Sequence, residues 1–282
     1  HLFTQWGAYH APKIVVWEDG VEKRIFGWET DASGADYVRF LRHYLIALRA
    51  HLHELQVYDQ FYFHISDEPV EKHQNSYAKA RQIFRDILPE KKVIDALSHV
   101  TFFEKGLVDI PIPVTRTIED FRGKVTELWT YYTGFQSFMY SNRLISMASR
   151  RNRILGTQMF AYDVKGFLQW AFNFYYTTLS REVCNPYESS DAFGEFPSGT
   201  AYMVYPAPDG PVLSIRLFTF NEGLQDMRAM QLLSALIGRT ETMALIESKI
   251  GSVDFTHSPH SDAVLLGMRE AVNNKIASCL GH

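Results

Sequence analysis

Apolar positions change period several times along the chain, and each change marks an element. Over residues 36–55, Tyr37, Phe40, Leu41, Tyr44, Leu45, Leu48 and Leu52 recur every three or four positions, which predicts an amphipathic helix. Residues 76–88 repeat the pattern with Tyr77, Ala80, Ile83, Phe84 and Ile87, and Pro89 stops it. Shorter aromatic or β-branched runs at 2–6, 61–65, 93–97, 107–111, 127–132 and 166–173 read as strands. A short helical link at 118–124 and a longer helix at 142–162 separate the later ones.

Strands alternating with helices predict an α/β protein, here a (β/α)8 TIM-barrel-like domain of which six strands are present. Two strands would then be missing at the N-terminus. The expected organisation is a single catalytic domain over 1–282, with barrel elements to about residue 180. Beyond that, a strand at 201–205, a turn at Asp209-Gly210 and helices at 217–237 and 260–278 are expected to pack on the barrel.

Composition narrows the function classes. The chain has 282 residues, of which 46% are hydrophobic, enough for one large core. Its net charge of −4 and the lack of a basic stripe argue against nucleic acid as a partner. No apolar run reaches the roughly 18 residues of a membrane span. Cys184 and Cys279 are far apart, no His or Cys cluster has zinc spacing, and no glycine-rich phosphate loop is present, so neither a metal nor a cofactor is expected. The chain opens on His1 rather than Met, from which we expect upstream sequence. Aromatic residues make up 14%, a content that suits sugar-binding clefts and large cores alike.

Candidate chemistry centres on Ile65-Ser66-Asp67-Glu68-Pro69-Val70. Pro69 has no N–H for a ladder, so the strand should end at the acid pair, and strand ends are where α/β enzymes carry their chemistry. Successive strand residues point to opposite faces, so Asp67 and Glu68 can serve one ligand only if the backbone turns there. Proximity should push their pKa values apart, leaving one ionised and one protonated. The competing reading makes Asp67 the cap of a helix that starts after Pro69.

Several segments, in order, resemble the catalytic region of glycoside hydrolase family 123, the β-N-acetylgalactosaminidases. They include Leu2-Phe3-Thr4-Gln5-Trp6-Gly7-Ala8, Tyr62-Phe63-His64-Ile65-Ser66-Asp67-Glu68-Pro69, Ile94-Asp95-Ala96-Leu97-Ser98 and Leu128-Trp129-Thr130-Tyr131-Tyr132. Gly166-Phe167-Leu168-Gln169-Trp170-Ala171-Phe172-Asn173-Phe174 and Val204-Tyr205-Pro206 follow. The resemblance implies a β-sandwich followed by a (β/α)8 barrel, with the sandwich and first barrel strands lacking a counterpart here. Gly199-Thr200 and Gln169 depart from the family pattern, which leaves substrate preference open. An extracellular or periplasmic location is implied by analogy.

The resemblance also implies substrate-assisted hydrolysis of β-linked N-acetylgalactosamine with retention of configuration. Ordinary retaining glycosidases hold two carboxyls about 5 Å apart across the bond, which neighbouring residues do not readily supply. Attack by the sugar's own 2-acetamido oxygen removes that requirement. Glu68 would protonate the leaving oxygen and then activate water, while an ionised Asp67 would accept the acetamido N–H and stabilise the oxazolinium. Trp6, Trp129, Tyr131, Tyr132 and Trp170 are candidate walls of the sugar subsite, each equally suited to core packing. Asn173 could bind a hydroxyl or the acetamido group, and His64 could tune Glu68 or serve as a core histidine. The expected partner is a glycan with a terminal N-acetylhexosamine. The alternatives are a non-catalytic carbohydrate-binding barrel and a glycosidase for another 2-acetamido sugar.

Overall fold

The helix expected over 36–55 is α1 (Ala35–Glu54) in a computed structural model that describes residues 1–281. Its buried stripe is Tyr37, Leu41, Leu45 and Leu52, while His51 and His53 lie in the last turn, where a partial negative charge accumulates. By spatial proximity the chain divides into two compact units, His1–Trp129 and Thr130–His282.

The first unit opens with a hairpin of β1 (Ile14–Glu18) and β2 (Val21–Phe26). Asp19 and Gly20 between them have φ of 53° and 78°, the pair of positive values that a tight primed turn needs. Asp19-Gly20 directly after the run Ile14-Val15-Val16-Trp17-Glu18 is a legible hairpin signal. After α1 come α2 (Gln74–Arg85), β3 (Ile94–Ala96), α3 (Thr101–Glu104) and β4 (Ile110–Ile112). α2 buries Tyr77, Ala80, Arg81 and Phe84, and β3 and β4 pair in parallel.

The strands expected at 2–6 and 61–65 are not regular. Leu2 and Phe3 donate their amides to the carbonyls of His64 and Ile65, each at 3.0 Å, and Phe63 forms a single parallel bridge with Val93. Extended segments thus lie side by side in chain order, but backbone at Trp6 (φ 57°) and Glu68 (φ 42°) leaves the extended region and ends each ladder.

In the second unit β5 (Trp129–Tyr131), whose first residue still belongs to the first, pairs with β6 (Gly166–Leu168). Between them the helix expected over 142–162 begins late, as α4 (Arg150–Arg153) and α5 (Leu155–Ala161). The Asn142 side chain donates to the carbonyls of Thr133 and Gln136 at 2.8 and 2.7 Å, which holds that stretch in a loop instead. β7 (Val204–Tyr205) and β8 (Val212–Leu213) flank the Asp209-Gly210 turn. α6 (Ile215–Ile237), α7 (Arg239–Ile250) and α8 (Asp262–Leu280) complete the chain, and the sequence reading had no counterpart for α7.

The helical core gathers Ile154, Phe160, Met230, Leu233, Ile246, Leu265, Met268 and Val272. Gly156 and Gly223 let α5 and α6 touch backbone to backbone, since a Cβ on Gly156 would lie 1.8 Å from the Gly223 carbonyl oxygen. Asp226 on α6 is fully buried and neutralised by Arg153 (2.7 Å) and Arg269 (2.7 Å) from the helices on either side.

Among the described residues the strands form four two-stranded sheets, so the architecture is mixed α/β. The closed eight-stranded barrel expected from the alternation is not among them. Outside the β1–β2 hairpin, strands of two or three residues, interrupted by left-handed positions and by Pro111 within β4, cannot sustain continuous ladders. No helix of the described residues is long and apolar enough to cross a membrane.

Candidate active site

The acid pair sits where four stretches of the first unit meet. Glu68 has φ of 42°, so the chain turns at the second acid instead of continuing as a strand. Left-handed backbone at a glutamate is strained and persists only when its surroundings hold it. Here the Glu68 amide donates to the carbonyl of Ala96 (3.0 Å), and the Asp67 carbonyl accepts the amide of Trp6 (2.8 Å). Ser66 Oγ donates to the carbonyl of Thr4 (2.6 Å) and accepts the amide of Gly7 (3.3 Å). Trp6 (φ 57°), Gly7 (φ 117°) and Ala8 (φ 58°) are left-handed as well, so two strained turns brace each other. At Gly7 a side chain would also collide with Tyr9 and His73, at 2.8 and 2.9 Å.

Helix capping by Asp67 is not observed. The next helical turn starts at Glu71, Val70 stands at its N-terminal boundary, and the Val70 amide is satisfied by Nδ1 of His73 at 3.1 Å.

Both acids are half-buried, and about a third of the Asp67 side chain (34%) reaches solvent. Removal from bulk water pushes the Asp67 pKa up to about 7, and the negative charges of Glu68 and then Asp95 push in the same direction. His64 opposes them. His1 lies near, its Nε2 3.8 Å from Oδ1 of Asp67.

Asp95 on β3 holds the segment that carries the acid pair. It is fully buried and accepts the amides of Ile65 (3.0 Å) and Ser66 (3.3 Å), the Tyr77 hydroxyl (2.5 Å) and a contact from Nδ1 of His64 (3.2 Å). The signal was a lone carboxylate inside the apolar run Val93-Ile94-Asp95-Ala96-Leu97, which no core tolerates without several donors. Burial raises the pKa of Asp95, against the pull of its hydrogen bonds.

His1, His64 and Asp95 offer ligand atoms within 4.8 Å of one another. Both Asp95 oxygens already face N–H or O–H donors, so the set reads as a hydrogen-bond network more readily than as a metal site.

The aromatic candidates divide between the units. Trp6 is 56% exposed on the turn that grips Asp67. Trp129 donates Nε1–H to Glu127 (2.8 Å) and meets Tyr62 edge-on, with ring centroids 5.6 Å apart. Tyr62, absent from the expected set, is partly exposed two residues before His64; together with His64 it lines a groove of about 650 Å³.

In the second unit Tyr131 and Tyr132 are buried, which assigns both rings to packing rather than to an open sugar platform. Arg143 covers the Tyr132 face at 4.7 Å and Phe167 its edge. Trp170 packs against Phe196 and Phe174, and Asn173 is exposed and bridges to Tyr202. Arg143 also donates to the carbonyls of Trp170 (2.8 Å) and Thr200 (2.6 Å).

Comparison with known proteins bears on this arrangement. The family model described as glycoside hydrolase 123, catalytic domain, matches residues 1–233. Comparison with curated protein sequences gives no match. Among solved structures, the chain is similar to a family 123 glycoside hydrolase from Clostridium perfringens, studied for the details of glycolipid glycan hydrolysis, with a TM-score of 0.63 and 13% identity. The match covers 95% of this chain and 49% of that one, so the chain spans about half the length of its neighbour.

Proposed function

Since the chain belongs to glycoside hydrolase family 123, we propose that it removes terminal β-linked N-acetylgalactosamine from glycans by substrate-assisted catalysis, with retention of configuration. The observation that carries this reading is the left-handed turn at Glu68, which frees two consecutive acids from the opposite-face geometry of a strand. The raised pKa of Asp67 supports it, because perturbed carboxyls gather where chemistry is done.

In the ligand-free protein Asp67 holds a proton up to about pH 7. An acetamido N–H arriving at Asp67 favours its ionised form, since a hydrogen bond to a carboxylate stabilises the charge. Ionised Asp67 then orients the acetamido oxygen toward the anomeric carbon and stabilises the oxazolinium that forms. Glu68 gives its proton to the departing oxygen, and its carboxylate next takes one from the water that opens the ring. The exposed ring of Trp6 and the Tyr62–Trp129 pair would supply apolar faces for the sugar. No nucleic acid or cofactor takes part in this scheme.

The test compares 4-nitrophenyl N-acetyl-β-D-galactosaminide with the β-galactoside that lacks the acetamido group. Participation of the substrate predicts turnover of the first and negligible turnover of the second. Equal hydrolysis of both would exclude it.

A further inference from the structure

The residues that hold the acid pair are as specific as the pair itself. Asp95 lies on β3 with none of its surface exposed, and its partners come from the 64–66 segment and from α2. Its donors include three consecutive residues, His64, Ile65 and Ser66, immediately before Asp67 and Glu68. The amides and the Tyr77 hydroxyl act here as donors to the carboxylate. His64 differs, because its Nδ1 can carry the proton or accept it. An ionised Asp95 takes the Nδ1–H form, which leaves Nε2 as the basic nitrogen. The side chain of His64 is 28% exposed, so it is open to proton exchange while Asp95 is not.

The geometry points to Asp95 as a positioning residue for the acid pair: it fixes the backbone of 65–66 and the tautomer of His64, and so sets where Asp67 stands and which charge it faces. This role rests on the catalytic reading of Asp67 and Glu68. The charged and titratable groups around Asp67 are Glu68 and His64 from its own segment, Asp95 from β3, and the imidazole of His1. Around the Tyr77 that backs Asp95 are Arg81 from α2 and Asp109, themselves paired at 2.8 Å.

Asp95 and His64 act on Asp67 with opposite sign, the carboxylate raising its proton affinity and the imidazole lowering it. Loss of packing alone has no reason to produce opposite shifts. The experiment follows the Asp67 carboxyl by ¹³C NMR across pH, assigned against Asp67→Asn, in the wild type, Asp95→Asn and His64→Gln. The Asp67 titration should move to lower pH in Asp95→Asn and to higher pH in His64→Gln. In both, kcat should fall about 10–100-fold with little change in KM, by analogy with lost supporting hydrogen bonds at metal sites. Should Asp95→Asn not fold, His64→Ala carries the test, with kcat expected to recover on adding imidazole.

An Asp67 titration unmoved in both folded variants, shifts of one sign, or no recovery with imidazole would overturn the role of Asp95. Glu68→Gln is assayed alongside. If it is inactive while the Asp67 titration never moves, only the Asp95 role fails; if it turns over like the wild type, the catalytic reading fails instead.

Discussion

The Trp6 amide donates to the Asp67 carbonyl at 2.8 Å, and both ends of that bond lie in left-handed turns, at Trp6 itself and at Glu68 next to Asp67. Each turn supplies the partner that the other needs, so the backbone carrying the acids is fixed by contacts from residues far away in sequence. Such strain survives where the surroundings over-determine it.

Asp67 gives the reaction an acid limb. Its pKa of about 7 in the free protein predicts a rising limb of kcat/KM through about pH 7, as Asp67 ionises. The kcat profile reports the substrate complex, where the acetamido N–H favours the carboxylate, so its limb should lie at lower pH. Initial rates over pH 4–9 check both, and coincident limbs would deny that Asp67 meets the acetamido group.

The same group predicts a pH-dependent stability. Its folded-state pKa of about 7 lies above the ordinary value of 3.8, so the favourable contribution is complete below about pH 3.8 and is lost as pH rises through about 7. Asp67→Asn should therefore be more stable than the wild type at pH 8, by about 1–2 kcal/mol after screening at a side chain a third exposed, with the gap closing toward pH 4. Thermal melts at the two pH values measure this.

Much of this was legible in the sequence. Helical spacing located α1 and α2, each of which buries a mainly apolar stripe, and α6 and α8 lie where helices are expected at 217–237 and 260–278. Pro69 marked the end of the extended run correctly, and the acid pair lies at a turn. The barrel was over-read: apolar runs such as 2–6 and 61–65 look like strands, but left-handed residues that no hydrophobic pattern reveals cut their ladders short. Tyr131 and Tyr132 were ambiguous for a plain reason, since an aromatic ring fills a core or lines a cleft with the same composition. The importance of Asp95 depended on donors from His64, Ile65, Ser66 and Tyr77, which only the folded chain brings together.

The second unit depends on Asp226. Its two arginine partners bring α4, α6 and α8 onto one buried carboxylate, and removing that charge takes the counter-ion from Arg269 and leaves Arg153 only the more distant Glu222 at 3.8 Å. Asp226→Asn should destabilise by about 3–5 kcal/mol, the usual cost of breaking a buried pair. Denaturant unfolding followed by tryptophan fluorescence and circular dichroism reads the change.

Turnover of 4-nitrophenyl N-acetyl-β-D-galactosaminide by folded Glu68→Gln and Asp67→Asn variants tests the central claim most directly. Each should lose activity by about 10²–10⁴-fold, the range that general acid–base catalysis supplies. Wild-type turnover in either variant would contradict the account.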